Sequence, residues 1–204
     1  MSVATEPLTV PVQPRARQTF EALLTAAQEI LAESGYDGLT SNAIVARAGL
    51  TPPSFYRYFS DKHMVLGILA RRLLDAQNAL MDEHLRVGGS FTANVDAVVN
   101  LMTAELKLTQ AFPASLPLMV LLRSLPELRQ LRIEQHAVVS RALAAEMAPH
   151  YPDMDPGVLR VRTRLATEIY YSTQEMLIET GSRDADEIIR RTAIAIESAI
   201  SAPG

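Results

Sequence analysis

The sequence predicts an all-α protein of about nine helices, with a small N-terminal three-helix domain followed by a larger C-terminal helical domain. Three observations carry this. Apolar residues recur at three- and four-residue steps along most of the chain, the period of a helix with one buried face. Long segments are rich in Ala, Leu, Ile, Glu and Arg, and strand-like alternation of β-branched residues is scarce. Most Gly and Pro residues stand between these segments, where they stop or start helices. At 204 residues, 48% hydrophobic and 21% charged, the chain has the composition of a globular protein with a sizeable core.

Residues 1–14 hold Pro7, Pro11 and Pro14 without helical periodicity and are expected to form a disordered arm. From Arg15 the residues Phe20, Leu23, Leu24, Ala27, Ile30 and Leu31 mark one face of a first helix, with Gly35 as its stop. Thr40 can cap a second helix that buries Ala43, Ile44, Ala46 and Ala48 and ends at Gly49. Thr51 can cap a third, with Pro52 at its first position and Phe55 and Phe59 turned inward together. A long helix over 61–86 follows, striped by Val65, Leu66, Leu69, Leu73, Leu80 and Leu85 and closed by Gly88, Gly89 and Ser90. Five more helices are expected at 92–110, 116–124, 127–148, 157–180 and 185–201, separated by Pro113, Pro117, Pro126, the stretch 149–156 and Gly181. The domain division is thus 1–14, 15–62 and 63–204.

Several function classes find no support. There is no Cys, so thiol nucleophiles, disulfides and thiolate metal sites are excluded. His63, His84, His136 and His150 lack ligand spacing, and neither a P-loop, a nucleophile elbow nor a zinc-protease motif is present. No catalytic residue, metal or cofactor is expected. No apolar run reaches the ~20 residues of a membrane span, and the N-terminus lacks a signal-peptide layout, so a cytoplasmic protein is expected.

Net charge is −4, and residues 1–66 carry five basic side chains (Arg15, Arg17, Arg47, Arg57, Lys62) against six acidic ones. Such a balance lowers sequence-independent DNA affinity but leaves room for a local positive stripe. The pairing of two short helices through Gly49, Leu50 and Thr51 is a helix-turn-helix pattern, in which the second helix presents its N-terminal residues to the major groove. Ala46 and Ala48 are expected to let the helices approach, and Leu50 to plug the corner.

The stretch from Ala48 through Gly49, Leu50, Thr51, Pro52, Pro53, Ser54, Phe55, Tyr56, Arg57, Tyr58, Phe59, Ser60 and Asp61 to Lys62 resembles the DNA-binding signature of the TetR family of bacterial transcriptional regulators. So does the preceding frame from Gly35 to Thr40, and the resemblance covers residues 15–66. It implies that Thr40 and Ser41 bond phosphate and that Asn42 can read adenine. It puts Thr51, Pro52, Pro53 and Ser54 at the reading tip, and Tyr56, Arg57, Tyr58 and Lys62 on backbone phosphates. Tyr56 and Tyr58 could instead pack against the first helix, and Arg15 and Arg17 could be a solvated first turn or a DNA-seeking arm. Many members of the family carry Lys, Arg or Gly where Pro52 and Pro53 stand, so here shape and apolar contact are expected to replace a positive tip.

A single short recognition helix gains specificity by dimerising. The last two helices offer Leu165, Ile169, Thr173, Met176 and Leu177 on one, and Ile189, Ile196 and Ile200 on the other, as a homodimer interface in a four-helix bundle. The same stripes could instead be buried within one subunit. The resemblance further implies a small-molecule pocket in the middle helices, with Met102, Leu106, Phe112, Leu116, Met119, Tyr170, Tyr171 and Gln174 as candidate lining. No carboxylate stands out on an apolar face, which points to an apolar or amphiphilic effector. The function expected is a ligand-responsive DNA-binding regulator, a repressor released from its operator by that effector; the alternative is a DNA-binding dimer whose C-terminal half has no pocket and serves only dimerisation or a protein partner.

Overall fold

A computed structural model describes residues 11–88 and 94–201, with side chains from 85 to 88 left out of the description. The expected arm up to residue 10 and the Gly89-Ser90 close therefore lie outside the described residues, as does the side chain of the stripe residue Leu85. Among those described there are nine α-helices and no strand: α1 Pro14–Gly38, α2 Ser41–Arg47, α3 Pro52–Tyr56, α4 Lys62–Gly88, α5 Val95–Ala111, α6 Ser115–Ser124, α7 Pro126–Met147, α8 Pro156–Thr180 and α9 Ala185–Ser201. A 3₁₀ turn over Ala148–His150 follows α7. No helix among the described residues is long and apolar enough to cross a membrane.

The helices start and stop where local chemistry dictates. The Thr40 hydroxyl accepts the Ala43 N–H at 3.1 Å and caps α2. Asp155 does the same for α8, accepting from Gly157 and Val158. Within α1, Gly35 breaks the helix at φ +64°, so the regular run ends where the stop was expected and Tyr36–Gly38 form a separate turn.

Two compact units form, and neither is one consecutive stretch of sequence. The first combines the chain up to Leu73 with Phe112–Gln130; the second combines Leu74–Ala111 with the chain from Leu131 onward. In the first, α1 buries Phe20, Leu23, Leu24, Ala27, Ile30 and Leu31. Val65, Leu66, Leu69 and Leu73 of α4 are buried in the same unit. Arg72 of α4 grips the Glu21 carboxylate of α1 with both terminal nitrogens, at 2.7 and 2.8 Å. In the second, α8 and α9 pack along each other and both meet α5. Val98, Leu101 and Met102 join Leu159, Ala166, Tyr170, Leu177, Ile189, Ile196 and Ile200 in one apolar core there.

Candidate functional site

The turn between α2 and α3 is built by backbone chemistry. Gly49 holds φ +65°, a left-handed conformation that strains any L side chain, and the Leu50 N–H closes the turn on the Val45 carbonyl at 2.8 Å. Ile44, Val45, Phe55 and Phe59 are buried beneath it, and Phe59 lies 5.1 Å from the ring of Phe20 in α1. The buried face of α2 is therefore Ile44 and Val45. Ala46, expected inside, is exposed, and Ala43, Ala48 and Leu50 are only half-buried. Burial on α2 is set by what packs on it, and α1 and α3 cover only Ile44 and Val45 fully.

With its apolar side anchored, α3 carries the predicted reading tip outward. Thr51, Pro52, Pro53, Tyr56 and Arg57 are exposed, as are Thr40 and Asn42 on α2, while Ser41, Ser54, Tyr58 and Lys62 are half-buried. The Thr51 hydroxyl, expected to cap α3, bonds Ser54 Oγ at 3.2 Å instead. Tyr56 and Tyr58 differ. Tyr56 is 61% exposed, whereas Tyr58 meets Phe20 edge-on at 5.9 Å and so packs against the first helix. Lys62 Nζ sits 3.8 Å from the centre of the Tyr36 ring and 3.5 Å from the Tyr36 carbonyl, which leaves further N–H donors free in direction. Arg47 is bound to Glu29 at 3.2 Å and Glu33 at 2.7 Å, and the Glu33 carboxyl is held below the usual range by that hydrogen bond. Its charge is thereby matched on the protein's own surface.

The predicted pocket residues divide between the two units. Met102, Leu106, Tyr170, Tyr171 and Gln174 are buried in the second unit; Phe112, Leu116 and Met119 belong to the first, and Leu116 is 44% exposed. A cavity of about 30 Å³ lies in the second unit, lined by Tyr170 and Tyr171 together with Met81, Val139, Leu143 and Ile196. That volume holds a water molecule or two. Beside it, His136 stacks on Tyr171 at 4.2 Å and donates from Nδ1 to the Glu168 carboxylate at 3.2 Å; burial lowers its pKa and Glu168 opposes the shift.

Two carboxylates, Glu105 of α5 and Glu175 of α8, are also buried in the second unit, against expectation. Glu105 is 1% exposed, its Oε2 accepts the Tyr170 hydroxyl at 2.6 Å, and burial pushes its pKa up to about 7 despite that bond. Its burial was legible in principle. Glu105 falls on the same α5 face as Val98, Leu101, Met102, Leu106 and Thr109, at helical spacing.

Of the expected interface residues, Leu165 and Met176 are exposed, and Ile169 and Thr173 half-buried. Leu177, Ile189, Ile196 and Ile200 are buried in the chain's own core, because α8 and α9 pack on each other and on α5 before any partner arrives. Val158 and Val161 extend the exposed apolar stripe of α8.

Residues 23–66 match the model for bacterial regulatory proteins of the tetR family. Over 55 residues the chain is 38% identical to YvdT, a helix-turn-helix-type regulator of Bacillus subtilis, covering 27% of this chain and 28% of that protein. Over 59 residues it is 36% identical to the class D tetracycline repressor of Escherichia coli, covering 29% and 27%.

Residues 23–66 are thus a TetR-family DNA-binding segment.

The matched segment spans just over a quarter of those two relatives. Solved structures share the fold over most of the chain. A multidrug binding protein, EbrR, complexed with imidazole superposes with a TM-score of 0.67 at 15% identity, over 90% of this chain and 96% of that one. A transcriptional regulator from Rhodococcus sp. Rha1 does so at 0.64 and 20% identity, over 88% and 94%. The exposed tip of α3 lies inside the TetR-family segment, whereas Glu105 and its cavity lie outside it.

Proposed function

We propose that the protein is a homodimeric transcriptional regulator that grips operator DNA with α3 and is released from it by a small apolar or amphiphilic effector. The observation that carries the reading is the exposed set Thr51, Pro52, Pro53, Tyr56 and Arg57, held on a buried Phe55/Phe59 base inside the TetR-family segment. Tyr56, Arg57 and Lys62 would hold phosphates and so set the register, while Asn42 and the Pro52-Pro53 tip would meet base edges. The half-buried Tyr58 would act mainly by fixing α3 on α1.

Dimerisation is supported by the exposed stripe of Val158, Val161, Leu165 and Met176 along α8. Two copies joined there would read half-sites about 34–36 Å apart. The effector part rests on the likeness to the tetracycline repressor and to a drug-binding protein, and on the buried polar groups of the second unit. An effector would have to favour a conformer whose recognition helices no longer fit both half-sites, and by linkage operator DNA would weaken effector binding equally. The cavity's small volume favours a second reading, in which the C-terminal half serves only dimerisation or a protein partner.

Selection from a randomised duplex pool tests the DNA part. Enrichment of a two-fold symmetric sequence is expected, and recovery of no preferred duplex contradicts the proposal.

A further inference from the structure

The core of the second unit holds two buried oxygen atoms that receive no hydrogen bond, Glu105 Oε1 and Gln174 Oε1. Their side chains are 1% and 3% exposed. The partner atoms of both groups are already committed. Glu105 Oε2 accepts the Tyr170 hydroxyl at 2.6 Å, and Gln174 Nε2 donates to the Met102 carbonyl at 2.8 Å. That carbonyl can only accept, so the Gln174 amide cannot be turned round to offer a donor on its other side. The Gln174 amide group also stands beside the Tyr170 hydroxyl, so the two side chains that carry the unfilled acceptors meet at one phenol.

What surrounds them is apolar. Leu101, Met102 and Leu106 share the α5 face with Glu105, and the Tyr170 ring lines the adjoining cavity. Burial and the Tyr170 hydrogen bond are the influences on the Glu105 carboxyl, with no cationic side chain among them. A buried acceptor pair of this kind is costly unless a donor fills it, and a positive donor fills it best.

Building on the effector reading above, we propose that Glu105 and Gln174 receive the ammonium group of a cationic amphiphile whose apolar body lies along Tyr170 in the cavity. An ammonium offers three N–H donors, enough for both oxygens. A carboxylate of the same chain length offers none and meets Glu105 with like charge. For a chain to enter, the cavity must widen, and Met81 on its wall is the side chain best able to move.

The test is calorimetric titration of the full chain at pH 8 with hexylammonium and with hexanoate. Hexylammonium is expected to bind at least tenfold more tightly. Glu105→Gln should abolish that preference, because it removes the negative charge that an ammonium meets; Gln174→Met should weaken hexylammonium several-fold and leave hexanoate unchanged. Far-UV circular dichroism and a thermal melt establish that each variant is folded. Equal binding of both probes, or a preference that survives Glu105→Gln, overturns the proposal, leaves water as the occupant and keeps the effector reading. Binding of neither probe overturns the proposal and favours the reading in which the C-terminal half has no pocket.

Discussion

Burying Glu105 makes the folded protein hold a proton that the unfolded chain releases. Its carboxyl titrates near 4.5 when exposed and near 7 in the fold, so between those values the native state binds more protons and stability falls as pH rises. Above about 7 the loss is complete, and a shift of this size corresponds to about 3 kcal/mol. Glu105→Gln removes the ionisation while keeping an acceptor for Tyr170. It is therefore expected to raise stability by one to a few kcal/mol at pH 8 and by little at pH 4.5, as urea unfolding at the two pH values would record. Equal effects at both would contradict the assignment. At this scale the sequence is only partly readable. The helical period assigns Glu105 to an apolar face, but whether a lysine or arginine reaches it depends on neighbours far away in the chain. Tyr56 and Tyr58 teach the same lesson: two residues apart on a short helical segment, one is left in solvent and the other turned onto Phe20.

The elements were mostly written in local chemistry. Breakers, caps and apolar period located every described helix, since each is decided within a turn or two of sequence. Where short range fails, the structure departs. At α2 the stripe narrows to Ile44 and Val45, because burial there is set by α1 rather than by α2's own pattern. At the start of α6, Ala114 takes φ +59°, a left-handed conformation that no Gly, Asn or Asp in the sequence announces. The chain accepts this strain to turn from Phe112 into α6. Ala114→Gly is expected to relieve it and raise stability by about 0.5–1 kcal/mol in denaturant unfolding, net of the entropy that Gly adds to the unfolded chain. A loss of stability would mean that the Ala114 methyl group, which is buried, matters more than its backbone.

For the whole molecule, the partition into two units was the least legible feature. A reading along the chain divides it at residue 62, whereas α6 leaves its sequence neighbours and packs on α1 in the first unit. Such long-range pairing leaves no periodic trace. The interface stripe shows the same limit, since apolar residues on α8 and α9 look alike in sequence. Only packing separates Leu177, Ile189, Ile196 and Ile200, buried within the chain, from Val161 and Leu165, left outside. Net charge is a whole-molecule quantity too. At −4, with Arg47 matched by Glu29 and Glu33, the proposed DNA binding would depend on a few well-placed contacts and on two copies acting together. The most direct measurement is the affinity for a selected duplex as a function of salt, for the native chain and for Tyr56→Ala combined with Lys62→Ala, with circular dichroism confirming the fold. The account predicts at least tenfold weaker binding and a shallower dependence of log K on log salt in the double variant. Unchanged affinity and slope in a folded double variant would contradict it.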